Sequence, residues 1–254
     1  MSSVLKTARH QALLQLLQAR GPVSVTDLSE ALRTSPATVR RDITEMDEKG
    51  LVERTWGGVR LVGDLDDPFQ EALASHGKGK QAIGEAAAAL IPDGATVILD
   101  VGTTAYYVAM ALEAEGVTVL TASLPTFELL RGMKNIDLIM LGGQWSESYQ
   151  CFTGAQVVDA LERQHAEFGF VGCSGVADNG RVRDNSQSQS LVKRAILEAA
   201  TTSYLLAGAE KFPGKGSNSP FDVDALDGII TDATTLAPSL VERCATHHTE
   251  IRTV

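Results

Sequence analysis

Val97-Ile98-Leu99-Asp100-Val101-Gly102-Thr103-Thr104 puts a carboxylate, a glycine and two hydroxyls directly behind a continuously apolar run. With the helical pattern of residues 105–112 after it, the stretch reads as strand, loop and helix N-terminus. Such a junction can hold a small anion, because the first N–H groups of a helix have no partner inside it. Gly102 would let a ligand approach the backbone, and Thr103 and Thr104 add hydroxyl donors. A plain βα turn with threonines capping the helix accounts for the same residues, and these eight alone leave both readings open. A second set lies at 35–44. At 100° per residue, Val39, Ile43 and Met46 fall within about 60° of one another. Ala37, Arg41 and Thr44 fall nearly opposite, with Arg40 on the flank. Arginine can reach guanine edges bidentately or pair with phosphates, and small neighbours let a helix sit deep in a groove.

The elements that must position this second set are legible around it. Leu13, Leu14, Leu16 and Leu17 give one side of a helix over 7–19, stopped by Gly21-Pro22. A short helix is expected over 27–32 with Thr26 as its cap, then a turn at 33–35. Ser35 serves as N-cap and Pro36 as first residue of the third helix, which ends at Lys49-Gly50. Residues 51–55 and 59–61 flank Trp56-Gly57-Gly58 and predict a β-hairpin, hence a winged helix-turn-helix. Arg54 and Arg60 on that wing are placed for phosphate contacts, and Trp56 for packing within the head.

The net charge of −10 is unevenly spread: residues 1–60 carry +2 and the rest −12. A mildly basic head on an acidic body suits double-stranded DNA at one end only. Cys151, Cys173 and Cys244 are widely spaced, without CxxC or clustered histidines. They are expected to be reduced thiols, not a metal site or a disulfide framework. No apolar run approaches bilayer-spanning length and the first twenty residues lack a secretory apolar core, so a cytoplasmic protein with no membrane partner is expected.

The acidic, proline-broken segment Gly63 to Pro68 marks a boundary, giving a head at 1–62, a linker at 63–74 and a body at 75–254. In the body, helices are expected over 83–90, 105–112, 125–131 and 190–200. Strands are expected over 96–99, 117–121, 137–141, 168–172, 204–207 and 228–231. The alternation predicts a mostly parallel, doubly wound α/β sheet covered on both faces. Ligands of such sheets lie beyond the carboxyl ends of the strands. The residues there (Asp100 to Thr104, Thr121 to Ser123, Gly142 to Gln144, Gly172 to Gly175) are small, hydroxyl-bearing or amide, which suits a polyhydroxylated or phosphorylated metabolite. Lys80 and Lys211 are candidate phosphate partners. Gly77-Lys78-Gly79-Lys80 and Gly214-Lys215-Gly216-Ser217 both lack the spacing of a nucleotide-binding phosphate loop.

Ser35-Pro36-Ala37-Thr38-Val39-Arg40-Arg41-Asp42-Ile43, then Glu48 to Arg54 and Trp56-Gly57-Gly58, resembles the N-terminal signature of the DeoR family of bacterial transcriptional regulators. The body is similar to that family's C-terminal domain. The matching positions are Lys80, Asp100 to Thr104, Ser123-Leu124, Leu141-Gly142-Gly143, Gly154, Phe170-Val171-Gly172, Gly175, Val192-Lys193-Arg194 and Lys211-Phe212. The resemblance spans about residues 6–233. It implies a body related in fold to ribose-5-phosphate isomerase that senses phosphorylated sugars, with no cofactor. With the reading of the third helix and wing above, DNA contacts are expected at Ser35, Ala37, Thr38, Arg40, Arg41, Thr44, Arg54 and Arg60. Effector contacts fall at Lys80, Asp100, Gly102, Thr103, Thr104, Ser123, Gly142, Gly143, Gly175, Lys193 and Lys211.

The chain departs from the family pattern at Ala72 and His76, where Arg and Asn are usual, and at Ala122 within the usual Thr-Asn-Ser. It departs again at Glu167 for an aspartate, at Gln189-Ser190 for Glu-Ala, and at Gly208 for an aspartate. Several of these are expected to line the cleft and to alter which hydroxyls it recognises. The expected function is therefore a repressor of a carbohydrate operon, acting as a homo-oligomer on a two-fold operator. Two alternatives stand beside it: a regulator whose body only oligomerises, and an isomerase-like enzyme using Asp100, Glu210 or Lys211.

Overall fold

The computed structural model describes residues 2–20, 23–48, 51–54, 58–61 and 69–254. The helix ends expected at Gly21-Pro22 and Lys49-Gly50, the Trp56-Gly57 part of the turn and the segment Gly63 to Pro68 lie outside them, as does the side chain of Arg60. The chain divides into two compact units, Met1–Pro68 and the bulk of 69–254.

The first unit holds helices α1 (Ser2–Arg20), α2 (Val25–Ala31) and α3 (Pro36–Glu48), then an antiparallel hairpin of β1 (Val52–Arg54) and β2 (Val59–Leu61). Leu13 and Leu17 of α1, Leu28 of α2, and Val39, Ile43 and Met46 of α3 are buried together with Val52 and Val59. The α3 stripe read by angle is thus the stripe that packs. Helix α2 starts two residues earlier than expected, because Ser24 and not Thr26 caps it. The Ser24 hydroxyl accepts from the Asp27 N–H at 3.1 Å and donates to the Asp27 carboxylate at 2.7 Å. This reciprocal cap fixes the entry of the helix. Val23 and Val59 exchange both backbone hydrogen bonds at 3.0 Å. A Cβ at Gly58 would lie 2.2 Å from the Val23 carbonyl oxygen, so this turn residue has to be glycine.

The second unit runs through α4 (Phe69–Ala74), α5 (Gly77–Ala88), β3 (Thr96–Leu99), α6 (Thr103–Met110), β4 (Val117–Thr121), α7 (Leu124–Leu130) and β5 (Ile136–Met140). A hairpin of β6 (Gln144–Ser146) and β7 (Cys151–Thr153) follows, then α8 (Ala155–Leu161) and β8 (Ala166–Gly172). After these come a two-residue ladder of β9 (Gly175–Val176) and β10 (Val182–Arg183), α9 (Gln187–Ala199), β11 (Ala200–Leu206), β12 (Gly228–Thr231), α10 (Pro238–His247) and β13 (Glu250–Thr253). Seven strands pair in the order β13-β12-β11-β8-β3-β4-β5, every neighbouring pair parallel. From β3 the chain moves out to β5 at one edge, returns to β8 on the other side of β3, and moves out to β13. The strand order therefore reverses between β3 and β8, the point of such a sheet beyond whose carboxyl ends ligands are generally bound.

Both faces of the sheet are covered. Val97, Leu99, Val117, Val119 and Phe170 pack on one side with Ile83 of α5 and Ala105 and Val108 of α6. On the other, Ile98, Leu120, Val171, Leu205 and Ile229 pack with residues of α8, α9 and α10, among them Leu161, Val192, Ile196 and Leu240. Residues 69–74, within the expected linker, form α4, whose buried Phe69 meets the Tyr106 ring edge-on at 5.9 Å. Helix α5 starts at Gly77 rather than at Ile83, so the Gly-Lys-Gly-Lys segment is helical. Packing outweighs the low helix propensity of its glycines. The hairpin, the β9–β10 ladder, α4, α8, α10 and β13 were not anticipated.

Helices α5 and α6 approach so closely that a Cβ at Gly84 would lie 2.6 Å from the Tyr107 carbonyl carbon. Gly84→Ala should overpack this crossing and destabilise the second unit by about 1–3 kcal/mol, read as a lowered midpoint in denaturant or thermal unfolding.

Candidate functional site

On α3 the sequence periodicity separates two surfaces. Val39, Asp42, Ile43 and Met46 are buried, while Ala37, Arg40, Arg41 and Thr44 are exposed. Ser35 caps the helix, accepting from Thr38 N–H at 3.2 Å and sharing a hydrogen bond with the Thr38 hydroxyl at 2.9 Å. The Thr44 hydroxyl donates to the Arg40 carbonyl at 2.9 Å. Among the described residues, neither Arg40 nor Arg41 has a side-chain hydrogen bond or ion pair, and both line an open depression with Thr44 and Glu45. Arg54 is exposed on β1, opposite Val59.

The acid between these arginines has a different task. Asp42 is buried and accepts from Arg9 Nε at 2.5 Å, Arg9 Nη2 at 2.9 Å and His10 Nε2 at 3.2 Å, tying α1 to α3. Burial alone would raise its pKa. The hydrogen bonds and charge of Arg9, with those of His10, outweigh burial and hold the carboxyl below the usual aspartate value.

The second site forms where β3 and β8 end side by side. Asp100, fully buried, donates its N–H to the Phe170 carbonyl at 3.0 Å, and its Oδ2 accepts from Gly172 N–H at 2.8 Å. The same oxygen meets Lys193 Nζ at 2.5 Å, and Asp184 Oδ2 stands 3.6 Å from that ammonium. Burial would drive Lys193 towards its neutral form, but the two carboxylates keep it charged, with its pKa above the ordinary lysine value. Asp184 Oδ1 also accepts from Ser186 N–H at 2.9 Å, at the foot of α9. Behind the ion pair, Gln189 Nε2 donates to Cys151 Sγ at 3.2 Å, and burial pushes the Cys151 thiol up to about 12.

The remaining expected contacts divide. Gly102 precedes α6 in an extended conformation, and a Cβ at Gly102 or Gly142 would meet nothing within 4 Å, so the space before both is open. Thr103 and Thr104 begin the helix, the first buried and the second half-buried. Lys211 is half-buried at the end of a 3-10 turn, without a side-chain partner among the described residues. Ser123 is buried and spends its hydroxyl capping α7, accepting from Thr126 N–H at 3.3 Å. Gly143 and Gly175 permit close packing: a Cβ would lie 2.6 Å from the Thr153 carbonyl oxygen in one case and 2.4 Å from Gly214 Cα in the other. Lys80 is buried in α5 and donates to the Ala72 carbonyl. Of the departures, Glu167 lies at the opposite, amino end of the sheet, where its carboxylate accepts from Thr96 N–H at 2.7 Å. Asp184 and Cys151 were not anticipated as cleft residues. Their signal was Lys193 itself, which sits in the buried stripe of α9 with Gln189, Val192 and Ile196. A lysine there demands nearby carboxylates.

A winged helix-turn-helix head joined to a parallel α/β body defines a DNA-binding transcriptional regulator. Residues 9–64 match the description "DeoR-like helix-turn-helix domain" and residues 75–233 "DeoR C terminal sensor domain". The chain belongs to the DeoR family. It is 30% identical over 241 residues to the L-fucose operon activator of Haemophilus influenzae, covering 94% of this chain and 96% of that protein. It is 27% identical over 248 residues to the glycerol-3-phosphate regulon repressor of Escherichia coli, covering 97% and 98%. Among solved structures, ribose 5-phosphate isomerase A from Methanocaldococcus jannaschii aligns at 16% identity and a TM-score of 0.39, over 54% of this chain and 55% of that one. No helix among the described residues is long and apolar enough to cross a membrane.

Lys193→Met leaves the Asp100 and Asp184 charges buried without their cation and should destabilise the second unit by roughly 3–5 kcal/mol. Adding Asp100→Asn should restore part of that loss, measured by chemical denaturation of the single and double variants. The lowered Asp42 pKa stabilises the head fully above the unfolded aspartate value of about 3.9. That contribution should fade as pH falls from there through the folded value. Asp42→Asn should flatten this part of the acid-unfolding profile of the head, followed by NMR or hydrogen exchange.

Proposed function

We propose that the chain represses a carbohydrate operon, binding a two-fold operator as a homo-oligomer and responding to a small phosphorylated sugar or related metabolite. The observation that carries the DNA-reading half is the pair of exposed arginines, without partners among the described residues, opposite the buried stripe of α3. Arg41 and Arg40, with Ala37, Thr38 and Thr44, read base edges in the major groove. Ser35, Arg54 and Arg60 hold the phosphates on either side. One small head per chain reads a two-fold site only as a pair, hence the oligomer.

In the body, Gly102, Thr103 and Thr104 at the α6 N-terminus, with Lys211, hold the anionic end of the effector. The Asp100–Lys193 pair sets the floor of the cleft, and Ser123, Gly142, Gly143, Gly175 and Lys80 shape it. The relatives' names, an L-fucose operon activator, a glycerol-3-phosphate regulon repressor and a lactose phosphotransferase system repressor from Lactococcus lactis, support a sugar-type effector. The body works as a sensor and not as an enzyme, a reading that the names of its relatives as operon and regulon regulators support. The protein needs no cofactor and works in the cytoplasm.

Arg41→Ala should weaken operator binding by roughly 1–3 kcal/mol and relax selectivity at one base pair in each half-site. Footprinting and mobility shift on systematically varied operators measure both. Unchanged affinity and an unchanged footprint would remove Arg41 from the base-reading set.

A further inference from the structure

Two buried acceptors around the Lys193 ammonium and the Cys151 thiol have no hydrogen-bond partner, Asp100 Oδ1 and Gln189 Oε1. Their side chains belong to residues only 1% and 3% exposed. In each, the other polar atom is held in place: Asp100 Oδ2 by Lys193 and the Gly172 N–H, Gln189 Nε2 by the Cys151 sulfur. They belong to one cluster, since Cys151 feels the charges of both Asp100 and Lys193, and Gln189 lies one turn before Lys193 on α9. An acceptor buried without a donor forfeits its hydration and regains nothing, so this arrangement is incomplete as it stands.

Building on the reading of this cleft as an effector site, we infer that the two oxygens form a hydroxyl-reading subsite. They accept from the uncharged, polyhydroxylated end of the effector, and Gln189 sets the preference. An anionic group is excluded here, because both free atoms are acceptors and the carboxylates of Asp100 and Asp184 would repel it. A cationic group is not called for either. Asp100 is matched by Lys193 at 2.5 Å, and Asp184 by the same ammonium at 3.6 Å and by the Ser186 N–H at 2.9 Å. A neutral donor is what remains, and adjacent hydroxyls supply two. Cys151 acts as a positioning residue: a protonated thiol that occupies Nε2 leaves Oε1 as the end of the amide that meets the ligand. The effector then lies with its anion at the α6 N-terminus and its hydroxyls against Asp100 and Gln189. Its donors complete hydrogen bonds that these two acceptors otherwise lack, which gives the ligand a differential affinity for any arrangement of the body that keeps Asp100 and Gln189 together.

The test is calorimetric titration of the full chain with inorganic phosphate, glycerol 3-phosphate, erythritol 4-phosphate and sorbitol 6-phosphate. Affinity should rise by about tenfold over inorganic phosphate at the first rung long enough to reach Gln189. Gln189→Leu should abolish that gain, so that the longer rungs bind it no more tightly than inorganic phosphate does. Gln189→Asn, a neutral amide that keeps an acceptor on a shorter side chain, should retain part of the gain. A ladder that is flat in the unmodified chain overturns the inference without any variant having to fold. So does a gain that survives Gln189→Leu. If no rung binds, inorganic phosphate included, the effector-site reading itself falls, and the inference with it.

Discussion

The contact between Lys193 and Asp100 is the constraint on which the second unit is organised. It joins the middle of α9 to the carboxyl end of β3, and Asp100 reaches from there to the amide of Gly172 at the end of β8. The two strands at the point of reversal are thus fastened by one carboxylate in addition to their backbone ladder. A buried ion pair adds little net stability over an apolar replacement, but it tolerates no partial loss. Its value lies in fixing position. Lys193 can satisfy Asp100 and Asp184 together only if α9, the β10–α9 turn and the β3–α6 turn are all in register.

The head repeats this device on a smaller scale. Asp42 sits on a helix whose neighbouring arginines face outward, and it is consumed by Arg9 and His10 of α1. The Arg-Arg-Asp triplet therefore splits its labour. Two guanidiniums are left exposed, while the acid ties α3 to α1. In both units a buried carboxylate does the orienting.

Much of this was legible in the chain. The α3 stripe, the strands at 96–99, 117–121 and 228–231, and the alternation that yields a parallel sheet all follow from periodicities that burial enforces. What was not legible was decided at long range. The 200–206 strand looked shorter because its first residues, Ala-Thr-Thr-Ser, carry little apolar signal, yet Ala200 to Leu206 pair in register with Ala166 to Gly172. Glu167 stood among departures of which several were expected at the cleft, but strand direction puts it at the amino end, where it caps the Thr96 amide. His76, standing where Asn is usual, adopts φ +54°, a left-handed conformation that both residues accept more readily than most, so this departure preserves a backbone shape. Gln189 and Cys151 are 38 positions apart and share no motif; only the fold brings them together.

Helix α9 ends at Ala199 and strand β11 begins at Ala200, with no loop between them. Mechanically, the two form a single strut without a hinge at its far end. The strut is pinned along its length by β8, and Arg194 clamps the segment at Ser219 and Pro220 to its side. Gln189 and Lys193 are indexed to the sheet as teeth on a fixed rack. The turns after β3, β4 and β5 lack any such continuity: each passes from strand to the next element through intervening residues.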